Sequence, residues 1–498
     1  SSSVQAPQDF AAIAHAATLK SRIPFLHFFD GFRTSHELNR IASVGDEVLK
    51  ALRLDDDIAA FRARKLTPDA PLLRGTAQNP DTFFQAREAG NSFTDACPGI
   101  VQEKMDQFAA LTGRQYRLFE YFGHPQPERL VIAMGSSTGA IQETVEWLVK
   151  RGEKVGGLVV RLFRPFDVAA FVATLPASVK RIAVLDRTKE PGAVGEPLFQ
   201  DVVSALFEAG RLANVEVIGG RYGLSSKEFT PSMVRAVFDE LLKPTLRRRF
   251  TVGINDDVTN LSLPYDPDFD LEPAETVRAL FYGLGSDGTV SSNKQAIKII
   301  GEHAGKEAQG YFVYDSKKSG AITVSHLRFG PQPIRSTYKI RHASFVACHY
   351  APLLERHDVL ASAAPGATFL LNTSKPADQA FASLPAEVQR QVLEKKLSFF
   401  VIDAFSVAQQ AGLGRHISAV MQTCFFTLSG VLPKDEAIAR IREGVEKSYG
   451  KRGSEVVERN YKAIDLTLAN LHEVKVPSVL GAGTPRPPVV PKEAPDFV

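Results

Sequence analysis

The chain has 498 residues, enough for about three domains at ~150 residues each. Its 44% hydrophobic and 23% charged content is ordinary globular composition and excludes a disordered, collagen-like or coiled-coil chain. Lys and Arg number 59 against 56 Asp and Glu, a net charge of +3, so no global field draws the chain to nucleic acid or to a membrane. The cysteines, Cys97, Cys348 and Cys424, are too far apart for a Cys-x-x-Cys pair and too few for a cluster held by Cys thiolates alone.

In chain order, helix-period and strand-like stretches alternate with short Gly/Pro breaks, the pattern of an α/β protein with parallel sheets. Residues 24–29 are a continuous apolar run ending at Asp30-Gly31, read as a buried strand. Arg33 to Glu37 then lie at its carboxyl end, where ligands bind in open α/β sheets; alternatively Thr34 or Ser35 caps a helix opening at His36. Residues 55–100 are polar and broken, an excursion over another surface. Residues 129–134 read as a strand, 135–139 as a tight turn, and 140–151 as a helix with Ile141, Val145, Leu148 and Val149 on one face. The Gly135 turn has the form of an anion seat, but a plain strand-to-helix corner is the preferred reading. Residues 155–162 and 181–185 are further strands, and 186–190 a mixed-charge loop, solvated or at a domain contact. Arg247 to Arg249 read as the solvated end of a helix.

The sharpest signal follows. A strand-like run, 277–282, leads into GLGSDG (283–288), a literal G-x-G-x-x-G, then a helix over 289–302 with Ala296, Ile297, Ile299 and Ile300 apolar, then a second strand, 311–314. Such glycines permit a tight turn and close backbone approach, and the helix amides present their positive end to a phosphate. Asp315 is placed for a ribose hydroxyl, while Lys317 and Lys318 favour a phosphorylated ribose. NADP and coenzyme A both satisfy this pattern, and so does a Rossmann-like layer whose glycines only pack. A second glycine turn, Gly412 and Gly414, precedes an apolar helix over 417–428. No His-x-x-x-His or Cys/His cluster, nucleophile elbow or P-loop occurs. Cys348 and Cys424 lie in apolar runs and read as buried hydrophobes. No apolar stretch reaches the 18 residues that a spanning helix needs. Residues 481–498 hold five prolines and read as an extended linker.

The strings FLHFFDGFRTSH (25–36), RGTAQNP (74–80), LDRTKEPG (185–192), GRYG (220–223) with KEF (227–229), GLGSDGTV (283–290), DSKKSG (315–320) and HLRFG (326–330) closely resemble the pyruvate:ferredoxin oxidoreductases, in order along nearly the whole chain. That family decarboxylates pyruvate on thiamine diphosphate, passes electrons through [4Fe-4S] clusters to ferredoxin or flavodoxin, and forms acetyl-CoA. The resemblance implies the central segment of a longer enzyme. Residues 1–116 would be the rear of a transketolase-like pyrimidine domain, 117–272 a transketolase C-terminal-like domain, 273–485 a Rossmann-like coenzyme-A-binding domain, and 486–498 a linker to the next domain.

Carried over by position, the family's coenzyme A site falls on Gly285, Ser286, Asp287, Gly288 and Thr289, on Lys317 with Lys318 adjacent, on Ser418, where the family commonly has Asn, and on Asn460. The resemblance places the thiamine diphosphate, Mg2+ and cluster residues outside this segment. It thus carries no catalytic or metal-ligating residue and is expected to be inactive toward pyruvate alone. A cytoplasmic homodimer without nucleic-acid or membrane partners is implied, with the remaining domains of the same enzyme and ferredoxin or flavodoxin as partners. The alternative is a stand-alone coenzyme A- or nucleotide-binding and dimerisation module.

Overall fold

The computed structural model describes residues 1–73, 76–303, 305–314, 320–481, 483–488, 490 and 492–495. They form two compact units. Unit 1 comprises 1–35, 41–271 and 335–338, and unit 2 comprises 36–40, 272–334 and 339–498. The first strand, β1 (Glu37–Asn39), therefore belongs to unit 2.

The sheet of unit 1 contains β2 (Phe119–Gly123), β3 (Arg129–Ala133), β4 (Val155–Val160), β5 (Arg181–Asp186), β6 (Glu216–Arg221), β7 (Arg249–Val252) and β8 (Ser262–Leu263), in the order β2-β4-β3-β5-β6-β7-β8. Every pairing is parallel except that of β2 with β4. Its central strands are apolar on both faces, as sheets covered by helices on each side must be. Leu130, Ile132, Ile182 and Val184 enter one core with the helix Pro197–Glu208, while Val131, Ala133, Ala183 and Leu185 enter the other with the helix Ser137–Val149. Of the helix face read from sequence, Ile141, Val145 and Leu148 are buried and Val149 half-buried.

Unit 2 adds β9 (Val277–Leu284), β10 (Glu307–Tyr314), β11 (Ile322–Gly330), β12 (Ala343–Cys348), β13 (Ala363–Asn372), β14 (Ser398–Ile402) and β15 (His472–Glu473), in the order β1-β10-β11-β9-β12-β13-β14-β15. From β9 to β14 the strands are parallel, and the remaining pairs are antiparallel. The expected strand, glycine turn, helix, strand unit is present as β9, Thr289–His303 and β10. Yet β10 is not beside β9: the chain turns back after Tyr314, and β11 enters antiparallel between them. Ala296, Ile297, Ile299 and Ile300 are buried as read.

Several expectations are corrected. Residues 24–29 are irregular and form no strand: no strand pairs with them among the described residues, and Leu26 stays 88% exposed while Phe25 packs inward. No helix opens at His36. One 3-10 turn, Thr34–His36, leads straight into β1, which pairs with β10. The stretch 55–100 is polar and broken as read, but its pieces are helices, of which Asp55–Ala63 and Pro80–Glu88 bury no residue. Arg249 opens β7, which pairs with β6, instead of ending a helix, and its guanidinium stacks 4.0 Å over Phe199. The proline stretch is irregular as expected but held down: the Arg486 amide donates to Glu387 (3.1 Å) and its guanidinium to Leu354 O (2.8 Å).

A buried ionic network fixes the far side of unit 2's sheet. The Arg328 guanidinium donates to Glu272 Oε1 (2.6 Å) and Gln309 Oε1 (3.1 Å), and Gln309 Nε2 donates to Glu37 on β1 (3.0 Å). Burial pushes the Glu37 carboxyl up. Removing one member of such a pair leaves the other charged in low dielectric. Arg328→Leu is expected to lower the unfolding free energy by about 3 kcal/mol in urea titrations, and the double substitution Arg328→Leu/Glu272→Leu to recover part of it.

Candidate functional site

The glycine turn lies at the carboxyl end of β9, the edge where open α/β sheets bind ligands. Its backbone is unusual. Gly288 has φ +90°, and Ser286 has φ +76° despite carrying a side chain, a conformation that costs about 1 kcal/mol or more. The Asp287 carboxylate holds the turn closed, accepting the amides of Leu284 (2.7 Å) and Thr289 (2.8 Å). Gly285 N–H donates to Ala321 O at 2.7 Å, which ties the turn to the β10–β11 hairpin. The amides of Ser286 and Gly288 have no partner among the described residues. Gly283 is required by close approach: a Cβ there would lie 2.4 Å from Thr289 Oγ1 and 2.7 Å from Asp287 Oδ2.

Two helix N-termini meet at this turn. One is that of Thr289–His303; the other is that of Ser418–Ser429, which follows Gly412 (φ +79°) and Gly414 (φ +62°). A Cβ added at Gly288 would come 3.5 Å from Ser418 Cβ, so Ser418 stands against the turn. Unpaired first-turn amides and both macrodipoles therefore point positive charge at one place, the physical basis of anion binding at helix starts. Asn460 is buried on the helix Ser454–Asn470, and its carboxamide donates to Val456 O of that helix (2.8 Å). It is the neighbouring Arg459 that reaches Gly412 O (3.4 Å). Lys317 and Lys318 lie outside the described residues.

One residue that the sequence reading passed over stands beside the turn. His349 directly follows β12, and its Nδ1 lies 2.7 Å from Thr289 Oγ1. Burial lowers its pKa to about 4, opposed by the Asp287 charge. The available signal was its place at the end of an apolar strand run. His349, Asn372, Thr373, Asp403, Phe405 and Ser406 line a cavity of about 420 Å3 at the carboxyl ends of β12, β13 and β14. Asn372 braces it, donating to His349 O (2.9 Å) and accepting from Ala404 N (3.0 Å).

Unit 1 resolves the Gly135 turn differently from the expected plain corner. The turn (φ +80°) does seat an anion, and that anion is the chain's own Asp30, whose Oδ2 accepts Ser136 N–H at 2.6 Å. Arg187 pairs with the same carboxylate (3.4 Å). The stretch 186–190 is thus not simply a solvated loop. Asp186 is buried at the end of β5 and accepts the amides of Leu198 (2.9 Å) and Phe199 (3.0 Å), and burial pushes its carboxyl up to about 6. A largely apolar cavity of about 680 Å3 lies between residues 23–30 and the carboxyl edge of this sheet. All three cysteines are buried and unpaired, with thiols that burial pushes up. No group of three or more His, Cys, Asp and Glu arranged for a metal occurs among the described residues. None of their helices is long and apolar enough to cross a membrane.

Three family models match the chain in order: "Pyruvate flavodoxin/ferredoxin oxidoreductase, thiamine diP-bdg" over residues 1–106, "Pyruvate:ferredoxin oxidoreductase core domain II" over 128–232, and "Pyruvate ferredoxin/flavodoxin oxidoreductase" over 278–469. The chain belongs to the pyruvate ferredoxin/flavodoxin oxidoreductase family. It is 58% identical over 504 residues to the pyruvate-flavodoxin oxidoreductase of Rhodospirillum rubrum, an alignment covering 100% of this chain and 42% of that protein. It is 58% identical over 488 residues to that of a Nostoc species, covering 96% of this chain and 41% of that protein. The chain thus spans about two-fifths of the length of these oxidoreductases. Among solved structures, a pyruvate oxidoreductase subunit from Thermotoga maritima is similar with a TM-score of 0.33 at 18% identity, covering 40% of this chain and 99% of that one.

Two outcomes are expected from this geometry. Asp30→Ala removes the internal anion and should lower stability by about 2 kcal/mol, the scale of a hydrogen bond to a charged group, in chemical denaturation. The emptied seat should also make the variant gain more stability from added sulfate than the native chain does. His349 takes up a proton less readily folded than unfolded, so between pH 6.5 and 4 the unfolded chain binds more protons and stability falls as the pH falls. His349→Asn should lose less stability than the native chain between pH 7 and 5, read as the shift in urea midpoint.

Proposed function

We propose that this chain is the coenzyme-A-binding central segment of a pyruvate:ferredoxin or pyruvate:flavodoxin oxidoreductase, the enzyme that converts pyruvate to acetyl-CoA and CO2. The observation that carries the reading is the convergence of two helix N-termini on the strained turn at Gly288, against which Ser418 stands. On this reading the turn Gly285, Ser286, Asp287, Gly288 and Thr289 faces a pyrophosphate. Lys317, with Lys318 beside it, supplies an ammonium to the ribose phosphate, Ser418 lies at the ligand's edge, and Asn460 belongs to the site from the helix Ser454–Asn470. The Thr289 amide is held by the Asp287 carboxylate, the Gly285 amide by Ala321 O and the Asp287 amide by Leu284 O, so the ligand is met by the amides of Ser286 and Gly288 and by the first turns of the helices.

The segments 1–116, 117–272, 273–485 and 486–498 serve as the rear of a pyrimidine domain, a transketolase C-terminal-like domain, the coenzyme A domain and a linker. Thiamine diphosphate, when bound, supplies the carbanion-stabilising chemistry. The Gly135 turn of this chain is not offered to its diphosphate, since Asp30 fills it, and the buried, protonated cysteines are not offered to a cluster. We place that cofactor's residues, Mg2+ and the [4Fe-4S] clusters on the remainder of the enzyme. A homodimer in the cytoplasm, passing electrons to ferredoxin or flavodoxin through other domains, completes the proposal. The stand-alone binding module is the weaker reading, because the relatives matched along the whole chain are oxidoreductases.

Calorimetry of coenzyme A with the 498-residue chain tests the site. Lys317→Ala should weaken binding about fivefold at low salt and by less at high salt, as screening predicts for an ammonium–phosphate attraction. Unchanged affinity would remove the lysine from the site. Iron-free, coenzyme-A-dependent pyruvate oxidation by this chain alone would overturn the assignment of catalysis to other domains.

A further inference from the structure

His349 occupies the space immediately behind the glycine turn, and nothing so far gives its ring a task. The side chain is almost wholly enclosed, edge-on to Phe281 with centroids 6.0 Å apart. Its backbone is fixed at both ends: N–H donates to Tyr282 O on β9 (2.8 Å), and the carbonyl accepts from Asn372 (2.9 Å). The two ring nitrogens differ sharply. Nδ1 lies 2.7 Å from Thr289 Oγ1, whereas Nε2 is buried with no hydrogen-bond partner among the described residues.

That asymmetry selects a tautomer. A proton on Nε2 would strand a buried N–H, and buried donors are rarely left unpaired; a bare lone pair is tolerated more readily. With its proton on Nδ1, the neutral ring donates to Thr289 Oγ1, and the donor left to find an acceptor is the rotatable Thr289 hydroxyl hydrogen instead of a fixed ring N–H. Thr289 is the first residue of the helix, and its amide is also held by Asp287. Ring, hydroxyl and carboxylate thus form one brace across the turn, seated against the bare Cα of Gly283.

We infer that His349 is a positioning residue for the ligand of this turn: as the Nδ1-protonated neutral imidazole it locks Thr289, and through Thr289 and Asp287 it keeps the strained Ser286–Gly288 backbone presenting its amides to a phosphate. The inference rests on the coenzyme A reading of the same turn. His349 does not touch the ligand; it acts from β12 on the first residue of the neighbouring helix. Rigid second partners of this kind reduce the ordering that binding must otherwise supply.

The experiment combines calorimetry and nitrogen-15 histidine NMR on the 498-residue chain. His349→Leu removes the donor and should weaken coenzyme A about tenfold. His349→Asn, whose carboxamide N–H falls near the position of Nδ1–H, should bind within about twofold of the native chain. A merely space-filling role would not produce rescue by the smaller polar side chain. The NMR spectrum of the native chain should show the proton on Nδ1 between pH 5.5 and 8, a measurement independent of whether His349→Leu folds. A proton on Nε2, or native-like affinity in His349→Leu, overturns the inference while leaving the ligand reading intact. If the native chain binds no coenzyme A, the ligand reading falls, and the inference with it.

Discussion

The absence of a side chain at Gly283 is the constraint on which the carboxyl edge of the second sheet depends. Asp287 and Thr289 fold back over that Cα, so a single methyl group would overlap both the hydroxyl and the carboxylate. With the space kept open, Asp287 can cap the amides of Leu284 and Thr289, and Thr289 can meet His349. The turn is then rigid before any ligand arrives, and its strained Ser286 is held by bonds made elsewhere. The same arrangement joins three strand ends into one edge, since His349 is bonded to β9 through Tyr282 and to β13 through Asn372.

The two glycine turns of the molecule show how alike such corners are in sequence and how unlike in use. Each follows a parallel strand and opens a helix, and each has a glycine at positive φ. At Gly135 the seat is occupied by Asp30, a carboxylate brought from 105 positions earlier in the chain and neutralised by Arg187. That turn is a structural clasp. At Gly288 the local carboxylate, Asp287, is turned sideways into the turn, and a second helix start arrives through Ser418. The positive ends of two helices meet at this corner, against one at Gly135.

Much of the fold was legible because burial is periodic. The β3 to Ser137–Val149 and β9 to Thr289–His303 corners follow from apolar runs broken by glycine, and the buried faces of both helices lie where the spacing put them. Residues 24–29 misled because composition records apolarity but not the presence of a ladder partner. Residues 55–63 and 80–88 misled in the opposite sense. They are helices without a buried face, and a helix that buries nothing leaves no period to read. Asp186 looked solvated among charged neighbours, and only the start of the Pro197–Glu208 helix, folded over it, removes it from water.

The amino-acid sequence by itself determined the family, the α/β class, the glycine turn and its residues, because those depend on local backbone freedom and on motif identity. Tertiary structure alone decided three things. β11 separates β9 from β10, since it pairs antiparallel with both, with β10 as its neighbour in sequence and with β9 across the intervening helix. Ser418 joins the turn while the Asn460 carboxamide bonds within its own helix, since side-chain direction depends on how helices pack. His349 becomes part of the site because parallel strands set residues some sixty positions apart side by side at one edge. The three thiols are core, buried by packing and held protonated by it.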